Sequence, residues 1–195
     1  MSSVTVLHAV AIVSVFAVGL IAGQMLAIGI ANYAARGLSE TTWTLRFQSE
    51  NNLFAKTMPP FLIAPTIGLV TLFFLAHDDA RGMFAAAAVL ILIVLAITMA
   101  INVPINTQVQ SWTAGAAPST WMLTRDRWLR FHLVRTVVGL MSFAIAAIGL
   151  TSLLAGTTRM KSGTTPLKTG RLRKVSTNDL VGIADAQLSW QHLRK

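Results

Sequence analysis

"PPFLIAPTIGLVTLFFLA" from Pro59 to Ala76, "HDDARG" from His77 to Gly82 and "MFAAAAVLILIVLAITMAI" from Met83 to Ile101 decide the fold. Two uncharged apolar runs flank one short polar break. A helix needs about 20 apolar residues to cross a bilayer core. The second run meets this without interruption. The first opens with two prolines, tolerated in a first helical turn because the missing N–H has no partner there anyway. Pro65 lies deeper and predicts a bend. The pair reads as a tight hairpin of two membrane spans.

Working outward, "AVAIVSVFAVGLIAGQMLAIGIA" begins at Ala9, and no charged residue occurs between Ala9 and Ala35. It is too long for the apolar core of a signal peptide, and no Lys or Arg precedes it. A fourth run lies within Val137 to Ala155. The fold expected is an all-α integral membrane protein, an antiparallel bundle of four transmembrane helices at about 9–32, 59–76, 83–102 and 133–155. Long polar connections join helices 1 and 2 and helices 3 and 4. Residues 1–156 form the membrane domain and 157–195 a basic C-terminal tail. Gly19, Gly23 and Ala27 recur every four residues and predict close helix packing, with Gln24 beside them.

Composition agrees with a bilayer. Apolar types make up 54% of the 195 residues and charged types 12%, against about 25% charge in soluble domains. The absence of Cys excludes disulfides, thiolate metal sites, Cys nucleophiles and iron–sulfur clusters. The net charge of +9 sits outside the apolar runs, which favours lipid over nucleic acid as its partner. Basic residues on the two sides nearly balance. The tail "RMKSGTTPLKTGRLRK" tips the orientation toward cytoplasmic N and C termini in an inner or plasma membrane.

The unusual chemistry lies on the side opposite the termini. From Trp43 to Phe54, Trp43, Phe47 and Phe54 share an approximate helical face, with Gln48, Glu50, Asn51 and Asn52 between them. This reads either as a surface helix anchored by aromatics or as a lid whose polar residues touch a ligand. Asn102 and Asn106 bracket Pro104 at the end of the third run. Pro104 removes a helical hydrogen bond, so carbonyls are freed at low dielectric. The two carboxamides either cap them or orient a polar substrate. In "RDRWLRFHLVRT", Arg125, Trp128, His132 and Arg135 follow helical spacing on one face that descends toward the membrane. An ionisable group at that depth is expensive without a partner or a function.

"NVPIN", Trp112 and "RDRWLRFHLVRT" resemble the anthrone oxygenase-like family of small four-span membrane proteins. The matching positions are Asn102, Pro104, Asn106, Trp112, Arg127, Trp128, His132, Arg135 and Thr136, and the likeness extends over roughly residues 10–155. The resemblance implies oxidation of an anthrone or related activated polycyclic phenol to a quinone. Dioxygen is then the co-substrate, with no added organic cofactor.

That chemistry needs a base, an oxyanion holder and a dry aromatic pocket. His132 suits the base because imidazole titrates near neutral pH. Arg135 suits the oxyanion, and Asn102 and Asn106 suit orientation of oxygen atoms. Trp128, Trp112, Gln48, Asn52 and Arg127 are candidates for substrate contact. A three-His metal site that includes His132 is disfavoured, because His8, His77 and His192 fall on the other side. A divalent ion at His8, His77, Asp78 and Asp79, or haem on one His, stays open. So do a non-oxidative cyclase or isomerase, and a non-catalytic membrane carrier or assembly protein. A homo-oligomer is compatible with all of them.

Overall fold

A computed structural model describes residues 3–161. These residues are all-α. The long helices are α1 (Ser3–Ala34), α2 (Glu40–Leu75), α3 (Asp78–Ile97) and α5 (Trp121–Lys161). A π-helical turn, Thr98–Asn102, joins α3 to the short α4 (Val103–Gln110). Three stretches are long and apolar enough to cross a membrane: Val4–Gly37, Asp78–Gln110 and Trp121–Thr158. A fourth is present if Glu40–Thr57 and Pro59–Leu75, which meet at 43°, count as one broken span. The basic tail beyond residue 161, on which the expected orientation rests, lies outside the described residues.

The connections differ from the sequence reading. No long loop separates the first two apolar runs. A 3-10 turn, Ala35–Gly37, leads to Ser39, whose Oγ accepts the Thr42 N–H at 3.4 Å and caps α2. The polar stretch that follows is the first half of α2 itself. Pro59 and Pro60 therefore lie inside a helix rather than at its start. Their rings press on carbonyls one turn back and supply no N–H, which accounts for a bend there. Pro65 is carried within the second half, Pro59–Leu75. Likewise α5 begins at Trp121, well before the expected span, so the face carrying Trp128, His132 and Arg135 is continuous with it. The reversal between α2 and α3 takes only Ala76 and His77, with Asp78 at φ 52°, a conformation Asp tolerates better than most side chains.

Residue contacts fix the antiparallel arrangement. Along α1, His8, Gly19 and Gly29 approach Thr157, Phe143 and His132 of α5 in turn. Along α3, Ser142 Oγ donates to Ala87 O at 2.8 Å, and Met83 and Phe84 lie against Gly149. The apolar interior includes Val18, Leu69, Leu72, Phe84, Ile91 and Val94. Among the described residues, only Gly19 of the expected small-residue stripe meets another helix. A side chain at Gly23 has nothing within 4 Å, and Ala27 is exposed. The physical reason is drift: a step of four residues overshoots a 3.6-residue turn by about 40°, so the stripe leaves the interface within two steps.

A Cβ at Gly149 would stand 3.0 Å from Met83 Cβ and 3.2 Å from the Phe84 ring. Gly149→Leu should push α5 from α3 and cost about 1–3 kcal/mol. Gly23→Leu should stay within about 0.5 kcal/mol of the parent. Thermal unfolding of both variants in one detergent checks the contrast.

Candidate functional site

The site starts at the end of the third apolar stretch. Pro104 cannot donate to a carbonyl, and its ring crowds the preceding turn. The chain answers with the π turn: the Val103 N–H donates to Thr98 O, one residue further back than in an α-helix. The extra residue turns Asn102 and Asn106 toward α5. Asn106 Oδ1 accepts the Trp128 indole N–H at 2.7 Å, and Asn102 Nδ2 donates to Trp128 O at 3.4 Å. Asn102 is fully buried, and its Oδ1 has no hydrogen-bond partner among the described residues.

Trp128 is held on its other side by Phe47 of α2, edge-on at 5.3 Å. Above Phe47, Trp43 packs against Trp112 and Trp121. Gln48 donates to Val109 O and Trp112 O, both at 2.9 Å, so it caps the end of α4 and its following turn. Gln110 returns a bond to Gln48 O at 3.1 Å. Glu40 accepts the Gly115 N–H at 2.9 Å and ties the loop before α5 to the start of α2. This aromatic and polar cap fixes the height of Trp128.

Below Trp128 lies a chain of direct contacts. The His132 ring stacks on Trp128 at 4.8 Å and 14°. His132 Nε2 is 2.8 Å from Met25 O, and Nδ1 is 2.7 Å from Arg135 Nη2. A carbonyl only accepts and a guanidinium only donates. Nε2 therefore carries the proton, while Nδ1 offers a bare lone pair to Arg135. Gly29 makes room, since its Cβ would stand 3.3 Å from the imidazole. Arg135 Nη1 donates to Thr98 Oγ1 at 3.1 Å, and Thr98 in turn bonds Val94 O at 2.7 Å. Arg135 Nε is buried without a hydrogen-bond partner among the described residues. Among the described residues no carboxylate pairs with Arg135.

Arg135 opens on a cavity of about 660 Å³ walled by α1, α2, α3, α4 and α5. Its lining is mainly apolar, including Met25, Ile28, Phe47, Phe54, Val94 and Met99. Polar groups come from Gln24, Glu50, Asn51, Thr98, Thr107, Asn106 and Arg135, and Trp128 adds an aromatic wall. A drug-sized hydrophobic ligand needs roughly this volume and this ratio of few polar groups to many apolar ones.

The sequence candidates separate into three sets. Asn106, Trp128 and Arg135 line the cavity. Asn102 and His132 are fully buried and touch lining residues without lining it themselves. Gln48, Asn52, Trp112 and Arg127 do not line it. Gln48 is a cap, Trp112 belongs to the aromatic cluster, Asn52 is exposed, and Arg127 faces a different cleft. On a helix, 100° separates successive residues, so Phe47, Glu50, Asn51 and Phe54 share the inner face while Asn52 turns away. Thr98 and Gly29 were missed from sequence. Thr98 carried a signal as a hydroxyl inside an otherwise apolar run, but a Thr that merely bonds its own helix looks the same. Among the described residues no cluster of three or more His, Asp and Glu has metal-site geometry, and His8 instead bonds Thr157 at 3.1 Å.

Fold and site define a class: an all-α protein with membrane-crossing helices and a mainly apolar cavity bearing a guanidinium that pairs with no carboxylate among the described residues. Residues 51–145 match the family model described as anthrone oxygenase. The match is narrower than the likeness expected from sequence and runs from within the first half of α2 into the middle of α5. No curated protein and no solved structure matches the chain.

Trp128→Phe removes the donor to Asn106 and should cost about 1 kcal/mol. A cycle with Asn106→Ala should show a coupling of about 0.5 kcal/mol or more, read from thermal unfolding of the four proteins.

Proposed function

We propose that the protein is a membrane oxygenase that ionises a planar, hydrophobic enol or phenol in this cavity and delivers it to dioxygen. An anthrone in its enol form is the substrate type. One observation carries the reading: Arg135 faces a mainly apolar cavity, pairs with no carboxylate among the described residues, and keeps an N–H unused there, while Glu50 on the same cavity is engaged by Arg46 at 2.7 Å. A buried cation is costly unless something compensates it. A substrate that becomes an oxyanion at this point supplies the missing charge, and it does so only as the reaction proceeds.

The spacing of Arg135 and His132 refines the role first assigned to His132. The guanidinium and the bare Nδ1 are 2.7 Å apart. That arrangement suits one oxygen atom bearing a proton better than a distant C–H bond. The substrate hydroxyl takes the Arg135 N–H in place of His132. His132 lies behind the cavity wall, so the guanidinium must swing aside with the hydroxyl to uncover Nδ1, which then accepts the hydroxyl proton while the oxyanion stays on the guanidinium. Asn106 stands on the same wall beside Trp128, against which an aromatic ring system can lie.

Ionisation makes the ring electron-rich. Dioxygen accepts electrons from the ring carbon para to the oxyanion, and a C–O bond forms there. The resulting peroxide anion takes the proton held by His132 and becomes a hydroperoxide. Loss of the remaining C–H proton then breaks the O–O bond and releases water. One dioxygen is consumed and one water formed, and the methylene carbon of the keto form becomes a carbonyl. The ionisation step alone would also serve a non-oxidative isomerase.

Arg135→Met should remove the oxyanion holder and leave the apolar wall. Turnover of anthrone, followed as oxygen uptake by folded protein, should fall about 100- to 1,000-fold. His132→Gln keeps an acceptor for Arg135 and a donor for Met25 O while removing the base, so it should lose about 100-fold or more. Wild-type rates in Arg135→Met would remove the oxyanion reading, and in His132→Gln the base. Anthrone binding without oxygen uptake in the parent protein would favour the isomerase or carrier.

A further inference from the structure

A second cleft, of about 610 Å³, lies between the end of α1 and the start of α5 and shares no residue with the cavity. Tyr33 and Arg36 form one wall, and Leu123, Asp126, Arg127, Leu129, Arg130 and Leu133 the other. Three guanidiniums surround it. Asp126 pairs with Arg36 at 3.4 Å and with Arg125 at 3.0 Å, so its charge is already engaged. Among the described residues Arg127 and Arg130 have no carboxylate partner, and both are exposed.

Below Leu123, which is 70% exposed at the outer rim, the cleft passes from polar to apolar. α1 runs outward there, and Tyr33 precedes Arg36. α5 runs inward, and Leu133 follows Arg127 and Arg130. Leu133 lies about 9 Å deeper along the axis than Arg127 at 1.5 Å per residue. Tyr33 and Leu133 are 61% and 42% exposed, on the outward surface of their helices, while Leu129 forms the floor. Arg36 is held above the Tyr33 ring at 5.5 Å, which keeps its charge at the outer level. Below Leu123, both walls thus place cations above apolar surface, in the order in which a phospholipid presents phosphate and acyl chain.

We propose that this cleft binds the headgroup of an anionic phospholipid, with Arg127 and Arg130 on the phosphate and Tyr33 and Leu133 along the first acyl methylenes. Charge decides the class of ligand: two unpaired cations discriminate against a zwitterionic headgroup, whose own ammonium they repel. The exposed apolar end decides the source, because a free phosphate has no use for it.

The test uses the full chain extracted from mixed phosphatidylcholine and phosphatidylglycerol vesicles, with retained lipids counted by native mass spectrometry. The parent protein should retain phosphatidylglycerol in preference. Each basic residue near an anionic surface is worth about fivefold, so Arg127→Gln with Arg130→Gln should lower that preference roughly 30-fold. Arg127→Lys with Arg130→Lys should keep most of it. Arg81→Gln, at the opposite end of the helices, should leave it unchanged. Equal retention by the double Gln variant would overturn the proposal. So would an equal loss in Arg81→Gln, which would mean bulk charge alone. Displacement of the lipid by soluble glycerol 3-phosphate would assign the cleft to a free phosphate instead.

Discussion

Arg135 is a permanent charge placed beside an apolar cavity, and much of the surrounding structure serves to hold it there. Thr98 and His132 each take one of its N–H groups. Neither is charged, so they orient the guanidinium without neutralising it. Each of these partners needs support of its own. Thr98 sits at the first residue of the π turn, and His132 is stacked on Trp128 and anchored to the α1 backbone at Met25. Removing a neighbour therefore alters where the charge points before it alters whether the helices pack.

The helices extend past the apolar runs, and this extension is what closes the cavity. Had the stretch from Glu40 to Thr57 been a loop, Phe47 and Phe54 would have no fixed relation to Trp128. As helix, it carries its inner face over the mouth and pins α4 through Gln48 and Gln110. The cap is built from tryptophans and carboxamides, residue types that satisfy both water and hydrocarbon. It therefore suits the level at which the helices leave the bilayer.

The apolar helices and their tight hairpin were legible because hydropathy and length report directly on the cost of exposing backbone to lipid. The face of Trp128, His132 and Arg135 was legible too, because one helix carries all three at fixed spacing. What sequence could not supply was the distance of each residue from the cavity. His132 and Arg135 are three apart, yet one is sealed behind the wall and the other is part of it. That difference depends on Gly29 and Met25 of α1, far away in sequence. The same holds for Gln48 and Asn52, which look alike in a polar stretch but point to a cap and to the outside. The continuity of α2 was hidden because Pro59 and Pro60 are strong signals for a helix start, and the packing that carries a helix through them leaves no local mark.

The π turn also makes chain length, rather than residue identity, the sensitive variable between Thr98 and Asn102. Deleting one residue there would restore α-helical pairing and rotate α4 by about 100° relative to α3. Asn106 would leave Trp128, and Ile105 and Val109 would leave the aromatic cluster they now pack against. Substitutions that keep the count leave this geometry in place. Over evolutionary time this segment should therefore drift freely in apolar side chains while tolerating neither insertion nor deletion.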